Sequence, residues 1–202
     1  MKVLGLDLSK KSGWALLEDS TLVSYGLVKC FDNKIAFRGI SEDFMFIQDS
    51  LDIADHIRSV VTQYPSDFIY IEQTNKGRNR TSQKQLEFIH YSVLAMLDEQ
   101  GLKEKVRYTD TSAWRTGLGI RMSKEDTQHN KQIKARRIRG KKTIKHVTLR
   151  WVNERYDLSL IVKDNDIADA ISVASHGMNL EQKAQARAKN PKAEININEI
   201  FK

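Results

Sequence analysis

The first thirty residues contain three short apolar segments separated by turn residues. Residues 2–8 include the run VLGLDL, and similar segments follow at 12–18 and 22–30. Apolar runs of this length between polar turns are typical of strands in an antiparallel meander. The chain is therefore predicted to begin with a sheet, which the later elements must cover.

Helical spacing replaces the strand pattern after residue 40. Apolar residues at intervals of three and four predict a helix over 41–64, which Pro65 ends. Further along, the patterns predict a strand, a helix, a last strand and two final helices, at 67–72, 81–100, 105–109, 144–152 and 164–178. Three antiparallel strands followed by this alternation predict an α/β fold, a five-stranded mixed sheet with helices on both faces. That order of elements resembles the plan of the ribonuclease-H-like fold.

Length and composition favour one globular domain. The chain has 202 residues, of which 40% are hydrophobic, so we expect one domain over residues 1–180 and a polar C-terminal tail over 181–202. No apolar run approaches the roughly 20 residues that span a bilayer, and the N-terminus lacks the pattern of a signal peptide. The single cysteine, Cys30, excludes an internal disulfide and a zinc cluster, which favours a reducing, cytoplasmic location.

The positive charge is concentrated in one part of the chain. Residues 121–146, called here the basic segment, hold ten lysines and arginines but only two acidic residues. The chain as a whole has a net charge of +7, so the remainder is close to neutral. A concentrated cationic stretch indicates a polyphosphate partner. We therefore expect a basic insertion in the domain at about 117–145. A solvated, disordered insertion that favours solubility is the alternative that charge alone leaves open.

Four acidic residues occupy the ends of predicted elements. Asp7 lies near the end of the first strand and Glu72 at the end of the fourth, while Asp166 and Asp169 lie in the first turn of the last helix. The spacing of three residues puts Asp166 and Asp169 on one helix face. All four acids converge if the first and fourth strands are neighbours and the last helix packs across their ends.

Converging carboxylates stay ionised together only when cations bind between them. Their hard oxygen ligands suit Mg²⁺ or Mn²⁺, and a pair of such ions in one site can promote hydrolysis of a phosphodiester. The sequence therefore predicts a site for two divalent cations. Each acid also has an ordinary structural explanation, such as an ion pair or a favourable charge at a helix N-terminus.

Three acidic motifs resemble those of RuvC-type Holliday junction resolvases, most closely the divergent forms found in phages. They are GLDLSKKSGWAL at 5–16, IYIEQT at 69–74 and DNDIADAISVA at 164–174, and the likeness spans roughly residues 1–178. Leu8 and Ser9 replace the Pro-Gly that usually follows the first acid in cellular members. The resemblance implies that Asp7, Glu72, Asp166 and Asp169 are the metal-binding catalytic acids.

The same resemblance implies an activity and partners. The expected reaction is resolution of four-way DNA junctions during recombination and repair, by paired nicks that leave 5′-phosphate and 3′-hydroxyl ends. A homodimer is expected, with the long middle helix in its interface, and the setting would be a bacterial cell or a phage-infected host. The apolar residues on two sides of that helix, over 86–97, agree with a partner subunit.

Basic residues near the acidic motifs and in the basic segment are candidates for contacts with DNA phosphates. Such contacts supply affinity and salt dependence rather than sequence recognition. The candidates are Lys76, Arg78, Arg80, Lys84, Arg136, Arg137, Arg139, Lys141, Lys142 and Lys145.

Two other functions remain open on sequence grounds. A ribonuclease-H-like nuclease that acts on RNA or on RNA–DNA hybrids would use the same acids. A non-catalytic module that binds junctions or other DNA would keep the fold, although loss of one or more acids would be its usual mark. The presence of all four acids favours an enzyme.

Overall fold

The computed structural model describes residues 1–30, 41–74, 79–136 and 140–189. Five strands form a single sheet in the order β3-β2-β1-β4-β5. Neighbours β1, β2 and β3 are antiparallel, whereas β4 runs parallel to β1 and β5 runs parallel to β4. The strands are β1 (Lys2–Asp7), β2 (Lys11–Glu18), β3 (Thr21–Lys29), β4 (Phe68–Glu72) and β5 (Val106–Thr109).

Helices cover both faces of this sheet, so the predicted fold class is confirmed. The described helices are α1 (Glu42–Gln63), α2 (Arg80–Glu99), α3 (Thr111–Gly117), α4 (Lys124–Ala135), α5 (Ile144–Tyr156) and α6 (Asn165–Lys189). One core lies between the sheet and the pair α1–α2, and a second lies between the sheet and α3, α5 and α6.

Alternation along β1 assigns its side chains to the two cores. Leu4 and Leu6 belong to the core under α1 and α2, and Val3 belongs to the core on the α6 side. Since successive strand residues point to opposite faces, Gly5 and Asp7 share the face of Val3. The first candidate acid is therefore on the face that α6 covers.

Two glycines let α6 approach the sheet closely. A Cβ atom at Gly5 would overlap the backbone of Ala170 and Ala174, and one at Gly13 would overlap the carbonyl group of Asp166. Any other residue at these positions would push the helix away from the sheet. The N-terminal turn of α6 is thus held directly against β1 and β2.

Within the basic segment, the structure contains a helix that we did not predict. Helix α4 begins with a capping box, in which the side chains of Ser123 and Asp126 each accept a hydrogen bond from the other residue's backbone N–H. Asp126 is buried, and it pairs with Lys142 at 2.8 Å and with Arg150 at 2.9 Å. These ion pairs hold the pKa of Asp126 well below its usual range and fasten α4 to the chain that follows it.

The start of the predicted C-terminal tail requires a correction. Helix α6 continues to Lys189, well into the segment at 181–202 that we expected to be a tail. The Tyr70 hydroxyl donates a hydrogen bond to Glu181 Oε1 at 2.8 Å, and the Gln182 amide donates to Ser20 Oγ at 3.0 Å. Side-chain contacts with the sheet and its turns therefore extend the helix past its apolar stretch. Residues 190–202 lie outside the described residues.

Among the described helices, not one is both long enough and apolar enough to cross a membrane.

Replacing Gly13 tests the close packing of α6. We expect Gly13→Ala to lower the free energy of unfolding by about 1–3 kcal/mol, because the new methyl group must displace helix backbone. Urea unfolding monitored by circular dichroism measures this difference. Lys29→Ala, an exposed site on β3, is the control and should change stability by less than about 0.5 kcal/mol. Equal midpoints for the Gly13 variant and the wild type would contradict the packing.

Candidate active site

Four acids from three elements line one cavity of about 400 Å³ at the edge of the sheet. Leu6 of β1 is in register with Ile71 of the parallel strand β4, so the next residues, Asp7 and Glu72, end the two strands side by side. Helix α6 brings Asp166 and Asp169 to the same cavity. The convergence predicted from the sequence is therefore present in the fold.

The electrostatics of the cavity disfavour the ionised form of two acids. Burial, followed by the negative charges of Glu72, Asp169 and Asp166, raises the pKa of Asp7 well above its usual value. Asp7 keeps some contact with solvent through the cavity, but protein atoms surround it closely. Burial and the charge of Glu72 likewise raise the pKa of Asp169 to about 7. The cluster lacks enough positive charge to balance its carboxylates.

Glu72 is oriented by two donors from α3. The Thr111 hydroxyl donates to its Oε1 atom at 2.5 Å, and the indole Nε1 of Trp114 donates to Oε2 at 3.1 Å. Trp114 is fully buried, and α3 is fixed at its start by Asp110, whose side chain accepts from the backbone N–H of Ala113. A buried indole is a rigid donor, so the Glu72 carboxylate is held in one orientation.

The two acids of α6 differ in their partners. Asn165 donates a side-chain hydrogen bond to Asp166 Oδ1, and Lys11 Nζ lies 3.6 Å from Asp166 Oδ2. Asp169, by contrast, is buried and its Oδ1 atom has no hydrogen-bond partner. A buried carboxylate oxygen without a partner is costly, and a cation would satisfy it.

This donor set suits a hard divalent cation, although the side chains do not form a finished coordination sphere. Among the described residues, no group of three or more His, Cys, Asp or Glu side chains can hold a metal ion as it stands. Glu72 and Asp166 have hydrogen-bond or ion-pair partners within the protein. Asp169 has an unpartnered carboxylate oxygen, and the pKa values of Asp7 and Asp169 are raised. A bound cation would supply the missing partner and favour the ionised form of both acids.

Two cationic side chains, Arg115 and Lys145, line the same cavity. Both act against the increase in the pKa of Asp169. The Arg115 guanidinium carbon lies 4.7 Å from the centre of the Trp114 ring, and its Nε atom is buried without a hydrogen-bond partner. Lys145 was predicted as a DNA contact, and the structure places it beside the acids. Sequence reasoning missed Arg115, which carries no signal besides its charge.

The other predicted DNA contacts fall into three groups. Lys76, Arg78, Arg137 and Arg139 lie outside the described residues. Four others are exposed: Arg80, Lys84, Arg136 and Lys141. Of these, Lys84 forms an ion pair with Asp43 at 2.7 Å. The Lys142 ammonium binds the buried carboxylate of Asp126, so its described contact supports the fold. A role in DNA binding stays a prediction for all of these residues.

Comparison with known proteins shows the fold of RuvC. Thermus thermophilus RuvC, solved in complex with a Holliday junction substrate, has a TM-score of 0.62 and 14% identity, covering 90% of this chain and 96% of that chain. A second structure of the same protein has a TM-score of 0.62 and 14% identity, covering 91% and 97%. The yeast mitochondrial Holliday junction resolvase Ydc2 has a TM-score of 0.54 and 15% identity, covering 96% and 84%.

The sequence itself matches no protein-family model and no curated protein. At identities of 14–15% the structural likeness establishes the fold. The resemblance to RuvC-type resolvases, inferred from three short motifs, is thereby confirmed at the level of the fold. Its conclusions about chemistry depend on the site.

Replacing one acid should change how stability depends on pH. The Asp169 carboxyl binds its proton more tightly in the folded state, because its pKa of about 7 exceeds the value of 3.8 that is usual for aspartate. In EDTA, the free energy of unfolding should therefore fall as the pH rises from about 4 to about 7. The Asp169→Asn variant should show a smaller fall. At pH 8 its free energy of unfolding should be higher than that of wild type by roughly 1–3 kcal/mol.

Guanidinium unfolding at pH 5 and pH 8, with EDTA throughout, measures this effect. Glu154→Gln, which removes an exposed carboxylate outside the cavity, is the matched control. If the free energy of unfolding changes equally with pH in wild type and in Asp169→Asn, the pKa of Asp169 is not raised in the folded state.

Proposed function

We propose that this protein is a divalent-metal-dependent endonuclease that cuts branched DNA, with the four-way junction as its substrate. The observation that carries the proposal is the convergence of four carboxylates from β1, β4 and α6 in one open cavity. Carboxylates brought together at the surface of a fold destabilise one another. A function that requires cations at this position explains why the chain tolerates them.

Each acid would have a defined part in the reaction. Asp7 lies among the other three carboxylates, so it is suited to contact both of two cations. Glu72, Asp166 and Asp169 would complete the two sites. Cations bound there would activate a water molecule and neutralise the charge on the leaving oxygen of the phosphodiester. The products would carry 5′-phosphate and 3′-hydroxyl ends.

Other side chains would position these groups and the substrate. Thr111 and Trp114 hold the Glu72 carboxylate by hydrogen bonds at 2.5 Å and 3.1 Å. Arg115 and Lys145 line the cavity, where they would bind the oxygens of the scissile phosphate by charge-assisted hydrogen bonds. The same two cations would reduce repulsion between the substrate and the acids.

The choice of a junction rests on the fold together with the distribution of charge. RuvC of Thermus thermophilus was solved with a Holliday junction substrate, and this chain covers 96% of it. The exposed cations of α2 and the basic segment add a surface suited to DNA arms. A nuclease specific for RNA–DNA hybrids would share the acids, so substrate comparison decides between the two.

A second copy of the chain is part of the proposal, because a four-way junction offers two symmetric strands to cut. Three apolar residues of α1, Phe44, Ile47 and Leu51, are 38–62% exposed, and Tyr91 of α2 is 74% exposed. The hydrogen bond of 2.9 Å between the hydroxyls of Ser92 and Ser50 holds Tyr91 and Leu51 at the same level of the helix pair. This apolar surface suits an interface between two copies.

Cleavage of a synthetic immobile junction tests the proposed reaction. With Mg²⁺, wild-type protein should nick the junction in two symmetric strands, and it should cut linear duplex and RNA–DNA hybrid at least tenfold more slowly. EDTA should abolish cleavage. Asp7→Asn should reduce the single-turnover rate by at least a thousandfold and retain junction binding, because it alters metal binding and leaves the basic surface intact.

Gel electrophoresis of end-labelled strands gives the rates, and fluorescence anisotropy gives the affinity. The control is Asp67→Asn, which removes a carboxylate at the opposite end of β4 and should cut at the wild-type rate. Faster cleavage of the hybrid than of the junction would contradict the proposal that the four-way junction is the substrate. Normal cleavage by Asp7→Asn would remove that acid from the mechanism.

Disruption of the apolar surface tests the dimer. Tyr91→Asp should shift the protein from a dimer to a monomer and weaken self-association at least tenfold, since a buried unpaired charge opposes the contact. Sedimentation velocity measures the change. Val23→Asp, an exposed apolar site on β3, should remain dimeric. If the wild-type protein sediments as a monomer at micromolar concentration, the proposed dimer is wrong.

A further inference from the structure

The turn between α5 and α6, residues 157–164, exposes two adjacent aliphatic side chains. Ile161 is 54% exposed and Val162 is 52% exposed, whereas Leu158 and Leu160 of the same turn pack against the core. The turn is therefore anchored by two leucines and directs the next two apolar residues to solvent. The proposed metal chemistry gives this pair no role.

Hydrogen bonds fix the shape of the turn on both sides of the exposed pair. The Asn153 amide donates to the Leu160 carbonyl and accepts from the Leu160 N–H, both at 2.9 Å. Asp164 Oδ2 accepts from the Ile161 N–H at 3.0 Å, and the Asp164 N–H donates to the Ile161 carbonyl at 2.8 Å. Ile161 and Val162 are thus presented by an ordered backbone.

The pair directly precedes Lys163, whose backbone is linked to an acid of the candidate active site. Lys11 Nζ donates to the Lys163 carbonyl at 2.8 Å, and the same atom lies 3.6 Å from Asp166 Oδ2. One lysine head group therefore connects the turn to an acid of the cluster. The turn therefore adjoins the acid cluster, next to the place where a scissile phosphate would bind.

We propose that Ile161 and Val162 form an apolar wedge that enters the base stack of the DNA next to the scissile phosphate. This inference rests on the proposed function. Base faces are the apolar surface that a nucleic acid can offer, and aliphatic side chains can insert between base steps and unstack them. Ile and Val have few side-chain rotamers, so little conformational freedom is lost on insertion. Unstacking costs least where base pairing is already disturbed, so mismatched bases should reduce the need for a wedge.

Fluorescence of 2-aminopurine reports the unstacking directly. The base is placed next to the branch of an immobile junction, and Asp7→Asn protein is added in Mg²⁺ so that the DNA stays uncut. We expect fluorescence to rise at least twofold on saturation. Adding Ile161→Ser and Val162→Ser should remove most of this rise and change the affinity by less than threefold. Adding Val23→Ser, a similarly exposed apolar site on β3, should leave the rise intact.

Cleavage of a mismatched junction gives the second readout. With Asp7 present, the double serine variant should cut an intact junction at least tenfold more slowly than wild type. A junction with unpaired bases beside the cut needs no wedge, so its cleavage should recover to within threefold of wild type. Ile161→Leu with Val162→Leu keeps apolar bulk and should cut intact junctions normally.

The outcomes separate this inference from the proposed function. If wild-type protein cuts junctions but the double serine variant retains the fluorescence rise, the wedge is refuted. Ile161 and Val162 would then be a surface for contacts with protein. A slow serine variant that mismatches do not rescue also refutes the wedge. If wild-type protein cuts no branched DNA, the proposed function fails, and the wedge fails with it. Thermal melts of the variants should match wild type because both side chains are exposed.

Discussion

Helix α6 can rest directly on the sheet because two strand residues beneath it have no side chain. Cβ atoms at Gly5 and Gly13 would overlap the backbone of α6, at Ala170 and at Asp166 respectively. The close approach carries the first turn of the helix to the ends of β1 and β4. Acids that are distant in the chain then share one cavity.

The convergence is unfavourable without a cation. Burial and mutual repulsion raise the pKa values of Asp7 and Asp169, and one oxygen of Asp169 lacks a hydrogen-bond partner. Contacts with the surrounding protein hold two of the carboxylates in place. Trp114 orients Glu72, and the Lys11 ammonium lies close to Asp166. The fold therefore stores an electrostatic cost at the position where cations would bind, as expected for a functional site.

The sequence was sufficient for the parts of the molecule with strong patterns. The placement of Asp7, Glu72 and the two acids of α6 could be predicted because each ends or begins an element with clear apolar periodicity. Helix α4 was missed because it has almost no apolar residues, and its anchor is the buried Asp126, whose partners lie far along the chain. Thr111 and Arg115 were missed because α3 has only seven residues, too few to show an apolar periodicity. Such contacts depend on tertiary structure and leave no local signal.

Anomalous diffraction from crystals grown with Mn²⁺ tests the central claim most directly, because it locates the cations without reference to activity. The account predicts anomalous peaks in the cavity, within coordination distance of carboxylate oxygens of Asp7, Glu72, Asp166 and Asp169. Those peaks should disappear in crystals of Asp7→Asn protein. Manganese sites elsewhere on the molecule, with the four carboxylates left unliganded at saturating Mn²⁺, would contradict it.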